Sequence, residues 1–324
     1  MKLSIIVVNY NCAKVIRTCF SSVYRETKGC SFEVTLVDNA STDGSVEIVE
    51  KEFPKVRIVR NNENNGFAAA NNVAIRQAAG EYVLLLNPDT EILDGALQKT
   101  VAFMDSSPGT GIAGCKLLYA DGSLQPSVRG YPSVLSAFLD ATFLYLLLPR
   151  NRMMRGTGLS RFDPSRAQEV DWVIGAYFMM RRSMIDALGM LDEQFWIYGE
   201  EVDYCQRAKD AGFETWYFPD AKVVHYWEGM TAFNLSGIVW LHIGVKLYAD
   251  KHFHGIRKYV IIYMRYLGAA LRIVVYPVVG CLTLNTKLFA KAYYYGVALF
   301  KLLTQRWRYR VGYAGKVTPW TEYL

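Results

Sequence analysis

Leu3-Ser4-Ile5-Ile6-Val7-Val8-Asn9-Tyr10-Asn11 opens the chain with a β-branched run that halts on three polar residues. The run is apolar at nearly every position instead of alternating, which predicts a strand buried on both faces, as in a parallel sheet. It is too short for the apolar core of a signal peptide. Working outward, residues 13–25 read as a helix and Glu33–Val37 as a second strand closed by Asp38, Asn39, Ala40, Ser41, Thr42, Asp43 and Gly44. Ser45–Glu52 reads as a helix and Val56–Val59 as a strand. The turn Asn64-Asn65-Gly66 then leads into an Ala-rich helix, Phe67–Ala79, with Gly80 as its expected C-terminal cap. Tyr82–Leu86 is a fourth strand, ending on Asn87-Pro88-Asp89-Thr90, and Trp172–Met180 is strand-like again. Strands alternating with short helices predict an α/β domain with a mostly parallel sheet flanked by helices. Ligands of such sheets sit at the carboxyl ends of strands, where the polar clusters at 9–11, 38–43 and 87–90 all fall.

With 324 residues the chain can bury one large core, or a catalytic domain with an appendage. Its composition, 52% hydrophobic with 22 Tyr, is rich for a purely soluble protein and too poor for many membrane spans. Residues 251–324 hold 12 Lys or Arg against the single acid Glu322, so a basic tail follows a slightly acidic front. Such a tail suits dense phosphate, whether nucleic acid or anionic lipid. Six cysteines at 12, 19, 30, 115, 205 and 281 show no metal spacing or disulfide framework, and predict reduced thiols in a cytoplasmic compartment.

Four constellations carry chemistry. Asp89 ends a strand with its backbone restrained by Pro88, and a hard divalent cation needs few protein ligands when diphosphate oxygens supply the rest; as a bare turn the same residues are structural. Asp38, at another strand end, can accept the imide N–H of uracil or thymine, while Ser41 or Asp43 can cap the next helix. Trp196-Ile197-Tyr198-Gly199-Glu200-Glu201-Val202-Asp203 gathers three acids at a helix start. That placement favours the helix dipole, and it also supplies a general base for an acceptor hydroxyl. Arg207 sits four residues after Asp203, at ion-pair spacing. His225 ends an apolar strand, Ala221–Val224, beside Tyr226, Trp227, Glu228 and Gly229, as a structural histidine or a metal ligand.

VVNYN (7–11), VDNASTDGS (37–45), NNGFAAANN (64–72), LLLNPDT (84–90), VIGAYFMMRR (173–182) and YGEEVDYCQR (198–207) followed by VVHYWEG (223–229) stand in the order found in family 2 glycosyltransferases. The chain resembles the bacterial rhamnosyltransferase-type members over about residues 3–230. The resemblance implies a GT-A fold and transfer of a sugar, with rhamnose from dTDP-rhamnose expected first and UDP- or GDP-sugars next. Inversion would follow from a single displacement. It implies donor binding by Tyr10, Asn11, Asp38, Asn39, Gly66, Asn87 and Asp89. Asp89 and His225 would hold Mg²⁺ or Mn²⁺, and Glu201 would be the catalytic base. Trp172, Gly175, Glu200, Asp203 and Arg207 would lie on the acceptor side. Two departures stand out: Asn87 replaces the first acid of the family's DxD, and Glu201 replaces the usual Asp, so that Glu200 or Asp203 could be the base instead.

Residues 1–235 are expected to form the catalytic domain and 236–324 a basic, Tyr-rich helical region. Lys258, Arg265 and Arg272 recur every seven residues, forming a stripe on a helix. The longest uncharged run around them, 273–286, contains Pro277, so no spanning helix is expected. The expectation is a peripheral enzyme on the cytoplasmic face of the inner membrane. Basic residues of 256–310 would lie on anionic headgroups, with Val134–Leu148 and the trailing Arg150, Arg152 and Arg155 as a second contact. A lipid-linked or membrane-associated glycan would be the acceptor, with no nucleic-acid partner. Gln305-Arg306-Trp307 only echoes the motif of processive polysaccharide synthases, and the acids at the strand ends argue against a non-catalytic binding protein.

Overall fold

The computed structural model describes residues 1–147, 162–226 and 236–304. Arg150, Arg152, Arg155, Trp227, Glu228, Gly229 and the Gln305–Arg310 segment lie outside the described residues.

Strands β1 (Leu3–Asn9), β2 (Phe32–Asp38), β3 (Arg57–Arg60) and β4 (Tyr82–Leu86) run parallel, β1 lying between β2 and β4. All seven residues of β1 are buried, the reason its sequence is apolar without alternation. Helices α1 (Ile16–Glu26), α2 (Ser45–Glu52) and α3 (Gly66–Ile75) connect these strands. The sheet continues through β5 (Thr90–Leu93), α4 (Ala96–Ser106), β6 (Thr110–Leu118) and the short β7 (Leu124–Gln125) and β8 (Val128–Arg129). After α5 (Val134–Ala141) and a 3₁₀ turn at Leu144–Leu147 come β9 (Gln168–Glu169), β10 (Trp172–Val173) and β11 (Tyr177–Arg181). Helices α6 (Arg182–Leu188) and α7 (Glu200–Asp210) precede the long β12 (Glu214–His225). The order is β3-β2-β1-β4-β11-β6-β12-β5. Only β11 and β5 oppose their neighbours along it, so the sheet is mostly parallel, as expected. Apolar clusters fill both faces, one around Ile5, Leu36 and Leu84, the other around Ile6, Val37 and Leu85.

Two local expectations change. The Ala-rich helix ends at Ile75, not Ala79, and Gly80 is no helix cap. A Cβ at Gly80 would stand 2.5 Å from the Ser4 nitrogen, so this glycine lets the chain enter β4 against β1. The strand-like run 172–180 is two strands, β10 and β11, separated at Ile174–Ala176.

Helices α8 (Ser236–His252), α9 (Gly255–Thr283) and α10 (Lys287–Thr304) follow. Trp240 of α8 stacks on Trp196 at 4.6 Å between ring centroids, and Gly244 meets the Tyr198 carbonyl so closely that a Cβ would overlap it. The seven-residue basic stripe does not face outward. Lys258 pairs with Asp250 at 2.9 Å, and Arg265 and Arg272 both reach Asp140 of α5, at 3.0 and 3.1 Å. Arg272 is buried. The reason is pairing: acids on α8 and α5 neutralise the stripe, which leaves the apolar side chains Ile256, Tyr263, Leu267, Val274, Val278 and Leu282 exposed instead. The helix also runs unbroken through Pro277, and at 29 residues α9 is long and apolar enough to cross a bilayer, contrary to the expectation of no such helix.

Candidate active site

The polar strand ends meet as expected, but many of their side chains hold the loops together. Asn9, at the end of β1, is fully buried, and its amide donates to Asp38 Oδ1 (2.9 Å), Ser41 Oγ (3.0 Å) and Ser45 Oγ (2.8 Å). Asp38 Oδ2 accepts the Ser41 N–H at 3.1 Å. Asp38 therefore arrives with both oxygens engaged, oriented for any further donor by Asn9, which the sequence had not singled out beyond its place in the cluster. Asn39 is buried and ties three segments: it donates to the Gly66 carbonyl and the Asn64 side chain and accepts from Asn61. Asn11, in a left-handed conformation, accepts the Thr42 N–H. Tyr10 is half-buried beside them.

Gly66 has φ +81°, and a Cβ there would stand 2.4 Å from the Trp196 carbonyl oxygen. The neighbouring Phe67 N–H donates to that same oxygen at 2.6 Å. Gly66 thus fixes the loop that delivers the acids of α7. Trp196 packs on Gly66 and is itself stacked by Trp240, at 4.6 Å between ring centroids.

Asp89 follows β4 and is 3% exposed. Its carbonyl accepts the Tyr226 N–H, and its Oδ1 lies 3.3 Å from His225 Nε2 at the end of β12. Asp89 Oδ2 is sealed from solvent and meets no donor. Asn87 is held by the Ala176 carbonyl and Thr90, and its amide lies 3.5 Å from His225 Nε2. Two carboxylate oxygens and an imidazole nitrogen converging with so little donor capacity fit a divalent cation, by donor chemistry and by the orphaned Oδ2. Among the described residues no third His, Cys, Asp or Glu completes a cluster, so any remaining ligands would come from elsewhere, as diphosphate oxygens could. Gln125, which the sequence did not single out, places its amide oxygen 2.8 Å from His225 Nδ1 as an acceptor.

The acids of α7 separate into two environments. Glu200 is buried, and its Oε2 has no partner. Burial, then the charge of Glu201, raises its carboxyl well above the ordinary range. Glu201 is half-buried, accepts the Gly199 N–H at 3.1 Å, and is raised by burial against that hydrogen bond. A protonated Glu200 beside an ionised Glu201 satisfies both observations. Burial first, and then the charges of Glu201, Glu200 and Asp89, raise the Tyr198 phenol. Cys12, pushed up to about 12 by burial and then by Asp89, Asp43 and Asp38, lies within electrostatic reach of the donor-side acids.

Asp203 and Arg207 do not join this group. Asp203 faces the other way and is fully buried. It accepts from Arg207 (2.9 Å), Lys251 (2.9 Å) and His252 (2.7 Å). Arg207 also donates to the Leu188 and Met190 carbonyls. Positions 201 and 203 differ by two residues on one helix, which turns their side chains to opposite sides; Asp203, through Lys251 and His252, locks α7 to α8. Trp172 donates its indole N–H to the Gly130 carbonyl and packs near Tyr131 and Phe253, and a Cβ added at Gly175 would stand 3.6 Å from the Phe67 ring.

Residues 4–189 match the sequence profile described as Glycosyl transferase family 2. The N-acetylglucosaminyl-diphospho-decaprenol L-rhamnosyltransferase of Mycobacterium tuberculosis is 32% identical over 204 residues, 60% of this chain and 66% of that relative. The chain therefore spans slightly under two thirds of its length. Among solved structures, the mannosyltransferase PcManGT of Pyrobaculum calidifontis, in complex with GDP-Man and Mn²⁺, is similar with a TM-score of 0.58. It is 17% identical, and the similarity covers 94% of this chain and 88% of that one. GalNAc-T7 with UDP, GalNAc and Mn²⁺ is similar with a TM-score of 0.56 and 15% identity, covering 94% of this chain and 56% of that one.

Proposed function

Because the chain belongs to glycosyl transferase family 2, we propose that it transfers a sugar from a nucleotide-diphosphate donor to a lipid-linked glycan with inversion, rhamnose from dTDP-rhamnose being the first candidate. The observation that carries this reading is Asp89 set 3.3 Å from His225 at the strand ends with its second oxygen left without a donor, alongside the adjacent acids Glu200 and Glu201 that open α7. The mycobacterial relative's name supports the sugar and the lipid-linked acceptor.

Asp89 and His225 would hold the cation. Bound there, Mg²⁺ or Mn²⁺ neutralises charge that develops on a leaving diphosphate. Asn9 orients Asp38 toward a nucleobase, with Tyr10, Asn11 and Asn39 shaping that end of the pocket. Glu201 takes the proton of the acceptor hydroxyl. Glu200, kept neutral by burial, holds its proton against Glu201 and leaves it a single negative charge directed at the acceptor.

Residues 1–235 would carry this chemistry, and 236–304 would hold the enzyme at the cytoplasmic face of a membrane. The support is the exposed apolar face of α9 together with Leu135, Phe138, Leu146 and Leu147 on α5 and its 3₁₀ turn, joined to α9 through Asp140. Contact would be hydrophobic first, since the basic stripe is spent on Asp250 and Asp140.

The test is a donor screen with dTDP-, UDP- and GDP-sugars and a polyprenyl-diphosphate-GlcNAc acceptor. Wild type should transfer in the presence of Mg²⁺ or Mn²⁺, and Glu201→Gln should lose at least ~10³-fold of transfer while binding nucleotide normally. Turnover of no donor, or unchanged transfer by Glu201→Gln, sinks the reading.

A further inference from the structure

We propose that Gln125 is a positioning residue of the cation site, fixing His225 as the Nδ1–H tautomer so that its Nε2 lone pair faces Asp89. The inference rests on the cation reading of Asp89 and His225 and adds to it the residue that makes His225 a ligand.

Gln125 ends β7, is fully buried, and lies 100 residues from His225 in sequence. Its two side-chain ends see different parts of the same histidine. Oε1 stands 2.8 Å from His225 Nδ1, and Nε2 stands 3.4 Å from the His225 carbonyl oxygen. That carbonyl can only accept, so the amide must turn its NH₂ toward it. The flipped amide would set two oxygens against each other at the carbonyl. With NH₂ committed there, Oε1 faces the ring, and an amide oxygen only accepts. Nδ1 must therefore carry the proton, and a neutral imidazole then leaves Nε2 as an acceptor.

The other side of the ring explains what this tautomer is for. Nε2 points at Asp89 Oδ1, 3.3 Å away, and Asp89 Oδ2 has no donor. Were Nε2–H the tautomer, its proton would sit between the two groups, satisfying the carboxylate and occupying the place of a cation. Gln125 prevents this by holding the proton on the far nitrogen. The arrangement directs the converging lone pairs at a metal, and it accounts for a buried glutamine on a two-residue strand. Orienting partners of metal-bound histidines typically change metal affinity by about 10–100-fold when removed.

The tautomer is read first in the unaltered, metal-free full chain, by long-range ¹H–¹⁵N correlation of the imidazole nitrogens. His225→Asn identifies the signal among the 4 histidines. The proposal expects a protonated Nδ1 and an unprotonated Nε2; a ring with the proton on Nε2, or on both nitrogens, overturns it. In Gln125→Leu the proton should move to Nε2, and Mn²⁺ binding, followed by the electron paramagnetic resonance of free Mn²⁺, should weaken about 10–100-fold. Gln125→Glu, which restores an acceptor at Nδ1, should recover most of that loss. Mn²⁺ binding by Gln125→Leu within about threefold of wild type refutes the positioning role. Neither readout needs a donor or turnover, so failure here is distinct from failure of the transferase reading.

Discussion

Replacing Asp203 with Asn should destabilise the fold by about 3 kcal/mol at pH 7, and that loss should shrink in acid. Removing one member of a buried ion pair typically costs about 3–5 kcal/mol, because its partner is left charged without compensation. Here the lower end applies. Lys251 has 34% of its side chain exposed and keeps Asp192 at 2.6 Å, and Arg207 keeps the Leu188 and Met190 carbonyls. His252, at 2.7 Å from Asp203 Oδ1, retains a weaker acceptor in the asparagine oxygen. The pH dependence has a definite sign. Burial alone would raise the Asp203 carboxyl, but His252, Lys251 and Arg207 hold it below its ordinary 3.8. A depressed carboxyl contributes stability above its unfolded-state value and loses it as the pH falls through the folded-state value. Urea unfolding of wild type and Asp203→Asn at pH 7 and at pH 3 is the assay. The gap should begin to narrow below 3.8, where the unfolded-state carboxyl takes up its proton, and should be smaller at pH 3 by up to about 1 kcal/mol. A gap under about 1 kcal/mol at pH 7, or one that stays constant into acid, would refute the assignment of Asp203 as a charged lock and reopen a role for it at the acceptor.

Glu200→Gln should retain transfer within about tenfold, since glutamine reproduces a neutral, proton-donating neighbour of Glu201; loss comparable to that of Glu201→Gln would exchange their roles. Because burial raises Glu201, the acid limb of its kcat profile should lie above pH 4.5, with the rate rising as Glu201 ionises; a limb at or below 4.5 contradicts that environment. Gly66→Ala should cost about 3 kcal/mol, from a strained φ of +81° and a Cβ 2.4 Å from the Trp196 carbonyl. Thermal unfolding checks it, with wild-type stability as the contrary result. The double change Leu146→Asp, Leu147→Asp should reduce flotation with phosphatidylcholine vesicles, whereas Lys287→Gln should not; equal flotation of the double variant would remove these side chains from the membrane contact.

Most of the parallel half of the sheet was legible because its strands are continuous apolar runs that stop on polar triplets, and the stop is where the chain turns at a strand end. Tyr82–Leu86 ends where Asn87-Pro88-Asp89 begins for this reason. The breaks between β10 and β11, and the early end of the Ala-rich helix at Ile75, had no comparable signal, since apolar composition alone does not distinguish a buried strand from a buried turn. The polar residues proposed to bind the donor were readable as a group because they share strand ends. Gln125 was not, because its meaning lies in a contact spanning 100 residues with the one histidine whose ring it faces.

The basic stripe is the most instructive misreading. Spacing of seven correctly placed Lys258, Arg265 and Arg272 on one face of a helix, but periodicity says nothing about which face is solvated. Asp140 and Asp250 decide that, and neither is near the stripe in helical register. Once the charges turn inward, the helix presents aliphatic and tyrosine side chains outward, and the expected contact changes from electrostatic to hydrophobic. The same inward turn has a consequence for catalysis. Arg265 and Arg272 fasten α5 to α9, Asp203 fastens α7 to α8, and Gly244 of α8 seats against Tyr198, immediately before Glu200 and Glu201. The helices that carry the apolar face are thus packed onto the turn that leads into Glu200 and Glu201, the proposed catalytic acids. A bilayer that engaged that face would hold the proposed base, Glu201, at a fixed height above the lipid surface, where the diphosphate of the proposed lipid-linked acceptor would stand.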